Sequence, residues 1–134
     1  MSGDPLNLTG QWDGTFRYPN EALPTTPFLA EISENAGVFS GVIMEPDLHK
    51  SGQARSSING HRAGSSVDFT KVYHARESGY KNPVDYVGQL SADGLSITGI
   101  WSLQNMDGTF EMHREAQAVV LEEAEAEIAE PIER

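Results

Sequence analysis

Residues 8–18 have the sequence LTGQWDGTFRY, in which every second position is apolar or glycine. The alternating set consists of Leu8, Gly10, Trp12, Gly14, Phe16 and Tyr18. Alternation with a period of two is typical of a β-strand that packs one face on a core and presents the other to solvent. The stretch therefore predicts a first strand that carries Trp12 on its inner face.

The same two-residue period continues as far as Arg114, with short turn sequences between the apolar stretches. Seven more strands are predicted, at residues 28–34, 38–45, 54–62, 66–74, 84–90, 95–103 and 109–114. Turn formers such as Asn35-Ala36-Gly37 separate them, and no segment in this part has the period of a helix. Eight short strands in succession are typical of an antiparallel barrel or sandwich. We expect an all-β, eight-stranded antiparallel up-and-down barrel.

The last segment, residues 116–134, is rich in alanine and glutamate, which favour a helix. Leu121, Ala124 and Ile128 are spaced to form one narrow apolar stripe on such a helix. The sequence thus divides into a β-barrel domain at 1–115 and an acidic C-terminal helix or tail at 116–134. Two interpretations of the tail stay open: a helix that packs on the barrel or lies in solvent, and an arm for oligomerisation or partner docking.

The charge of the chain argues against several kinds of partner. Twenty acidic and nine basic side chains give the 134 residues a net charge of −11, of which the last twenty positions contribute −6. Nucleic acids and anionic membranes require a basic face, which the sequence does not show, so neither is expected as a partner. No apolar run is long enough to span a membrane, and the first residues do not resemble a signal peptide. We therefore expect a cytoplasmic location.

Three residues of this pattern carry a family resemblance. Gly10 and Trp12 form a Gly-x-Trp on the first strand, and Arg114 ends the last strand. Over residues 8–114 the chain resembles the calycin superfamily, the lipocalins and avidins. The resemblance implies that Trp12 closes one end of the barrel and that Arg114 lies across its ring, where lipocalins place a basic residue of the last strand. The absence of cysteine and the acidic tail depart from the pattern of secreted lipocalins.

A barrel of eight strands is wide enough either to fill itself with side chains or to hold one small ligand. In the strand phase that we prefer, Lys71, Tyr73, Tyr86 and Trp101 point inward. The three aromatic residues would supply apolar walls with one polar group each. A buried Lys71 would need a polar or anionic ligand group, or a carboxylate partner. The opposite phase of the fifth strand stays open, and it would turn Asp68 inward and leave Lys71 in solvent.

Two functions from different classes fit these observations. The preferred one is a non-catalytic binding protein that holds a small, partly apolar molecule inside the barrel. The alternative is a protein-interaction or oligomeric assembly module with a filled interior. This alternative is favoured by apolar residues at strand positions that alternate with the inward-pointing ones. If these residues face outward, another subunit or the tail must cover them. They are Leu29, Ile43, Val72, Val87 and Ile100.

The sequence contains no recognisable catalytic motif, so we expect no enzymatic activity and no cofactor. Its histidines do not have the short spacing of a metal-ligating pair, so no metal site is predicted and all four are expected on the surface. They are His49, His61, His74 and His113.

Overall fold

The computed structural model describes residues 6–21, 23–46, 52–74 and 82–115. In this part of the chain eight strands form one closed barrel, and each strand runs antiparallel to the next. They are β1 (Gly10–Arg17), β2 (Thr26–Asn35), β3 (Val38–Pro46), β4 (Gln53–Ala63), β5 (Ser66–Tyr73), β6 (Val84–Leu90), β7 (Ser96–Leu103) and β8 (Met106–His113). β8 pairs with β1, with Met112 opposite Gly14, and so closes the barrel. The predicted all-β, eight-stranded up-and-down barrel is confirmed.

Aromatic rings fill the middle of the barrel. Phe69 of β5 stacks on Tyr86 of β6 with ring centroids 4.6 Å apart, and Tyr86 meets Phe110 of β8 edge to face at 4.9 Å. Gly88 makes room for one of these rings, because a Cβ there would contact the Phe110 ring. Gly60 allows β4 and β5 to approach closely, because a Cβ there would meet the backbone oxygen of Asp68 and the Cβ of Phe69. The Phe110 ring therefore packs directly against bare backbone, which helps a narrow barrel hold the rings at the density of a protein interior.

The two ends of the barrel differ in the character of their interior. We call the end where β1 begins and β8 ends the Trp12 end, and the opposite end, where β3 and β5 end, the Lys71 end. Among the described residues, the buried polar and charged side chains other than Glu34 belong to the strand halves near the Lys71 end. They are Thr26, Glu45, Ser56 and Lys71. Most of the buried polar side chains thus lie beneath one opening of the barrel.

Two details differ from the sequence prediction. β8 begins at Met106, earlier than expected, because the turn before it is confined to Gln104 and Asn105, with Gln104 in the left-handed conformation at φ 56°. Ile43, expected on the outer face, is fully buried. Its strand is apolar on both faces (VFSGVIMEP), so alternation alone did not determine which face points inward.

The predicted acidic tail at 116–134 lies outside the described residues. Within the described ranges, helical structure is limited to a 3-10 turn at Pro19–Glu21. No helix in those ranges has the length and apolar character that a membrane crossing requires.

Candidate functional site

Lys71 lies inside the barrel, in the preferred phase of β5. Its side chain is 1% exposed, whereas Asp68 of the same strand is exposed, so the opposite phase is wrong. The Nζ atom of Lys71 lies 4.7 Å from the ring centroid of Phe16, 4.6 Å from that of Tyr73 and 5.5 Å from that of Tyr86. Three aromatic rings therefore surround the ammonium group at cation–π distance.

Glu45, near the end of β3, is the carboxylate partner of Lys71. The Nζ of Lys71 donates a hydrogen bond of 2.9 Å to Oε1 of Glu45, and the hydroxyl of Tyr73 donates one of 2.7 Å to Oε2. The side chains of Lys71 and Glu45 are each 1% exposed. The Lys71 end thus holds a buried ion pair that connects β3 to β5, with a tyrosine hydroxyl on the second carboxylate oxygen.

The surroundings of this ion pair determine which groups are charged. Burial alone would lower the pKa of Lys71, but the Tyr86 hydroxyl and the Glu45 carboxylate outweigh it and hold that pKa above its ordinary value of 10.5. Burial and the adjacent Glu45 raise the pKa of Tyr73. Burial also raises the pKa of Tyr86, although Lys71 opposes the change. At neutral pH the lysine is therefore charged and both tyrosines keep their protons.

Apolar side chains surround the same end of the barrel. Tyr18, just after β1, packs edge to face on Trp101 with ring centroids 5.3 Å apart. Leu103 and Met106, on the two sides of the β7–β8 turn, are half-buried against the core. The indole N–H of Trp101 donates to the backbone oxygen of Arg17 at 3.0 Å, so the protein already uses this polar group. We call Tyr18, Trp101, Leu103 and Met106 the apolar rim.

At the opposite end, Arg114 covers Trp12. The guanidinium carbon of Arg114 lies 4.5 Å from the Trp12 ring centroid. Its Nε donates to the backbone oxygen of Gly94, and its Nη1 donates to that of Asn7, both at 2.8 Å. The fully buried indole of Trp12 donates to the backbone oxygen of Leu8 at 2.9 Å. Both residues are thus placed as the resemblance to calycins implies.

A second buried ion pair stands at the Trp12 end. The Nε of Arg62 donates to both carboxylate oxygens of Glu34, at 2.8 and 3.0 Å, and the backbone N–H of Leu8 donates to Oε1 at 2.9 Å. Burial would raise the pKa of Glu34, but the hydrogen bonds from Arg62 and Leu8 outweigh it and hold that pKa below its ordinary value of 4.5. Glu34 thereby anchors the N-terminal segment across this end of the barrel.

The four predicted ligand-binding residues all lie in the interior toward the Lys71 end, and their role in binding stays a prediction. They are Lys71, Tyr73, Tyr86 and Trp101. Three of the histidines are exposed, as expected, and His49 lies outside the described residues. The exposed ones are His61, His74 and His113.

Sequence reasoning missed Glu45, the second member of the ion pair. An acidic residue directly before Pro46 is typical of a solvated strand end, and nothing near it in the sequence indicates a partner. The available signal was its phase, because Glu45 follows Phe39 and Ile43 at two-residue steps on β3. Because Ile43 was expected on the outer face of β3, Glu45, two residues further on, was not expected inside the barrel.

The chain was compared with known proteins. No family model matches it, and no curated protein matches it. Among solved structures, the redesigned β-barrel b11L5F_LGL aligns with a TM-score of 0.67 at 10% identity, covering 86% of this chain and 97% of that one. The redesigned β-barrel mFAP1, solved bound to DFHBI, aligns with a TM-score of 0.64 at 8% identity, covering 81% and 94%. At such identities the similarity is one of fold, and the expected small closed β-barrel is confirmed at that level.

Proposed function

We propose that this chain is a non-catalytic binding protein that takes a small, partly apolar molecule at the Lys71 end of its barrel. The observation that carries the proposal is the buried Lys71–Glu45 ion pair beside the apolar rim. One end of the interior thus offers charged and hydroxyl groups together with aromatic and aliphatic surface, which is the usual make-up of a small-molecule site.

Stability alone is a weak reason for this ion pair. Removing two charges from water costs several kcal/mol, and apolar residues of similar volume often stabilise a core equally well or better. The middle of the barrel follows that rule, since it is packed with Phe69, Tyr86 and Phe110. The buried pair at the Trp12 end has a structural contact besides, because Glu34 also accepts from the backbone N–H of Leu8. Buried charge beside the apolar rim, three of whose four side chains are half-buried, is therefore better explained by recognition than by folding.

The fold adds limited support. The mFAP1 barrel, which shares this fold, is described bound to the small molecule DFHBI. A barrel of this size can thus accommodate such a molecule, whereas the identity of the ligand of this chain depends on its own residues. The absence of enzymatic activity and the cytoplasmic location stay predictions from the sequence.

The two tryptophans provide a direct test, because they lie at opposite ends of the barrel. The indole N–H of Trp101 bonds to Arg17 at the Lys71 end, and that of Trp12 bonds to Leu8 at the Trp12 end. In a 15N-labelled full chain, a panel of small aromatic alcohols, acids and amines is titrated while both indole resonances are followed. We expect binders that shift the Trp101 resonance and leave Trp12 unchanged. A folded protein in which no compound shifts Trp101, or in which binders shift only Trp12, would refute the proposal.

A second candidate function, assembly with other chains, is favoured by two apolar residues on the outer face. Val87 and Ile100 stand opposite each other on β6 and β7, and they are 64% and 53% exposed. Sedimentation equilibrium of the wild type and of the Val87→Lys variant tests it. Self-association that disappears in the variant would support assembly through this face, and a monomer in both cases would exclude self-assembly there.

A further inference from the structure

We propose that the Lys71 end selects uncharged aromatic hydrogen-bond donors, such as phenols, aromatic alcohols and amides, over anions and cations of the same shape. This inference rests on the proposed function and adds the chemical class of the ligand. It follows from the charge balance of the interior, from the free acceptor capacity of Glu45 and from the aromatic surfaces around both.

The described interior at this end contains one cation and one anion, Lys71 and Glu45, each 1% exposed and 2.9 Å apart. A charged ligand group placed beside this pair would be attracted by one member and repelled by the other, because their charged atoms are 2.9 Å apart. It would also lose its hydration, which in a protein interior costs several kcal/mol when no net counter-charge compensates for it. An uncharged group does not meet this penalty, so the neutral interior disfavours both kinds of ion.

Glu45 can accept a hydrogen bond from such a group without releasing its partners. A carboxylate has about four acceptor sites. In the structure Oε1 accepts from Lys71 and Oε2 accepts from Tyr73. The Glu45 side chain is 1% exposed, so a ligand hydroxyl or amide N–H uses this remaining acceptor capacity by displacing neighbouring side chains, while the ion pair stays intact. A ligand that only accepts hydrogen bonds has less to gain from this carboxylate.

The surroundings favour a flat, apolar ligand body. Tyr18, Leu103 and Met106 are partly exposed at the rim, and the Trp101 ring, 3% exposed, packs edge to face on Tyr18 from inside the barrel. Aromatic rings pack well on such surfaces in offset or edge-to-face arrangements. The rings of Phe16 and Tyr73 already hold the ammonium of Lys71, so cation–π attraction at this end is used by the protein itself.

Four naphthalene probes test the inference on the wild-type full chain. 2-Naphthol is the uncharged donor, 2-naphthoate the anion, 2-naphthylmethylammonium the cation and 2-methoxynaphthalene the uncharged compound without a donor. Isothermal titration calorimetry at neutral pH should show 2-naphthol binding about tenfold or more tightly than each of the other three. A smaller preference, or tighter binding of either ion, overturns the inference.

A charge change in the site should reverse the selection. Glu45→Gln leaves Lys71 without its counter-ion, so the affinity for 2-naphthoate relative to 2-naphthol should rise by about tenfold or more. Glu34→Gln makes the same chemical change in the ion pair at the Trp12 end, and it should leave that ratio unchanged. An unchanged ratio in folded Glu45→Gln, or an equal change in Glu34→Gln, contradicts the inference. If Glu45→Gln does not fold by circular dichroism, the wild-type series alone remains decisive.

The inference and the proposed function fail in different ways. Probes that shift the Trp101 indole resonance but bind without regard to charge refute the selection and leave binding at the Lys71 end standing. If none of the four probes binds, the inference is overturned, and the wider panel then decides whether the proposed function falls with it.

Discussion

Replacement of Arg114 by alanine should lower the free energy of unfolding by about 3.5–5 kcal/mol. The change removes the contact with the Trp12 ring at 4.5 Å and two hydrogen bonds of 2.8 Å to the backbone oxygens of Asn7 and Gly94. A cation–π contact is worth about 0.5–2 kcal/mol. A hydrogen bond from a charged donor is worth about 1.5–3 kcal/mol, and because Arg114 is only partly buried we take the low part of that range.

Urea unfolding at neutral pH, followed by far-ultraviolet circular dichroism, measures this loss. Arg17→Ala is the matched control, because the Arg17 side chain is 51% exposed and makes one ion pair of 3.7 Å with Glu111. An exposed pair of this kind contributes about 0–1 kcal/mol. Arg114→Lys keeps the charge but loses the planar fork that bonds both oxygens, so its stability should lie between those of the wild type and Arg114→Ala.

Equal losses in Arg114→Ala and Arg17→Ala would refute this reasoning. The closure of the Trp12 end by Arg114 would then contribute nothing measurable, and the comparison with calycins would lose its energetic basis. Equal stability of Arg114→Lys and the wild type would show that charge alone matters, and that the two backbone hydrogen bonds contribute little.

Three further changes test other parts of the barrel. Gly60→Ala should lower the free energy of unfolding by about 1–3 kcal/mol in urea, because the added Cβ would clash with the backbone oxygen of Asp68 and the Cβ of Phe69 on β5. Lys71→Met should lower it by about 3–5 kcal/mol, since Glu45 is left buried without its cation, and adding Glu45→Leu should recover most of that loss. The pKa of Glu34 lies below its ordinary 4.5, so its contribution to stability is complete above that pH and is lost as the pH falls through the lower value of the folded state. Urea unfolding at a series of acidic pH values should show this loss, and Glu34→Gln should reduce it.

Each of these changes has a control and a contrary result. Ser40→Ala, at an exposed position of β3, measures the background for Gly60→Ala, and a Gly60→Ala variant of equal stability would contradict the close approach of β5 to β4 at Gly60. A Lys71→Met variant as stable as the double variant would mean that Glu45 finds another way to compensate its charge. Acid dependence that is unchanged in Glu34→Gln would assign the loss to other carboxylates.

The fold was predictable from the sequence because most strands show a clear contrast between their two faces. In β5, Phe69 alternates with Asp68 and Thr70, so both the strand and its inner face could be inferred. In β3 the contrast is absent, and the phase of Ile43, and with it the burial of Glu45, could not be inferred. The partners in the two ion pairs could not be inferred from the alternation of residues, because each pair joins residues far apart in the sequence.

The same limit applies to the Trp12 end. The contact between Trp12 and Arg114 could be predicted because the resemblance to calycins implied it. Nothing in the sequence relates Glu34 to Arg62, which meet only because β2 and β4 both end near this opening. Such contacts depend on how the strands tilt around the barrel. The tilt is a property of the closed sheet and cannot be inferred from the alternation of residues along single strands.

The seam between β1 and β8 has a consequence for the synthesis of the chain. Gly14 of β1 and Met112 of β8 stand opposite each other in that seam. One edge of β1 pairs with β2, and the other edge stays unpaired until β8 has been synthesised. While the ribosome makes the intervening strands, β1 and the newest strand each present an unpaired edge, and such edges are where other chains add on. Contacts between strands so distant in sequence also slow folding. The nascent barrel is therefore most exposed to aggregation just before β8 emerges, and a pause in translation at that point would prolong the exposure.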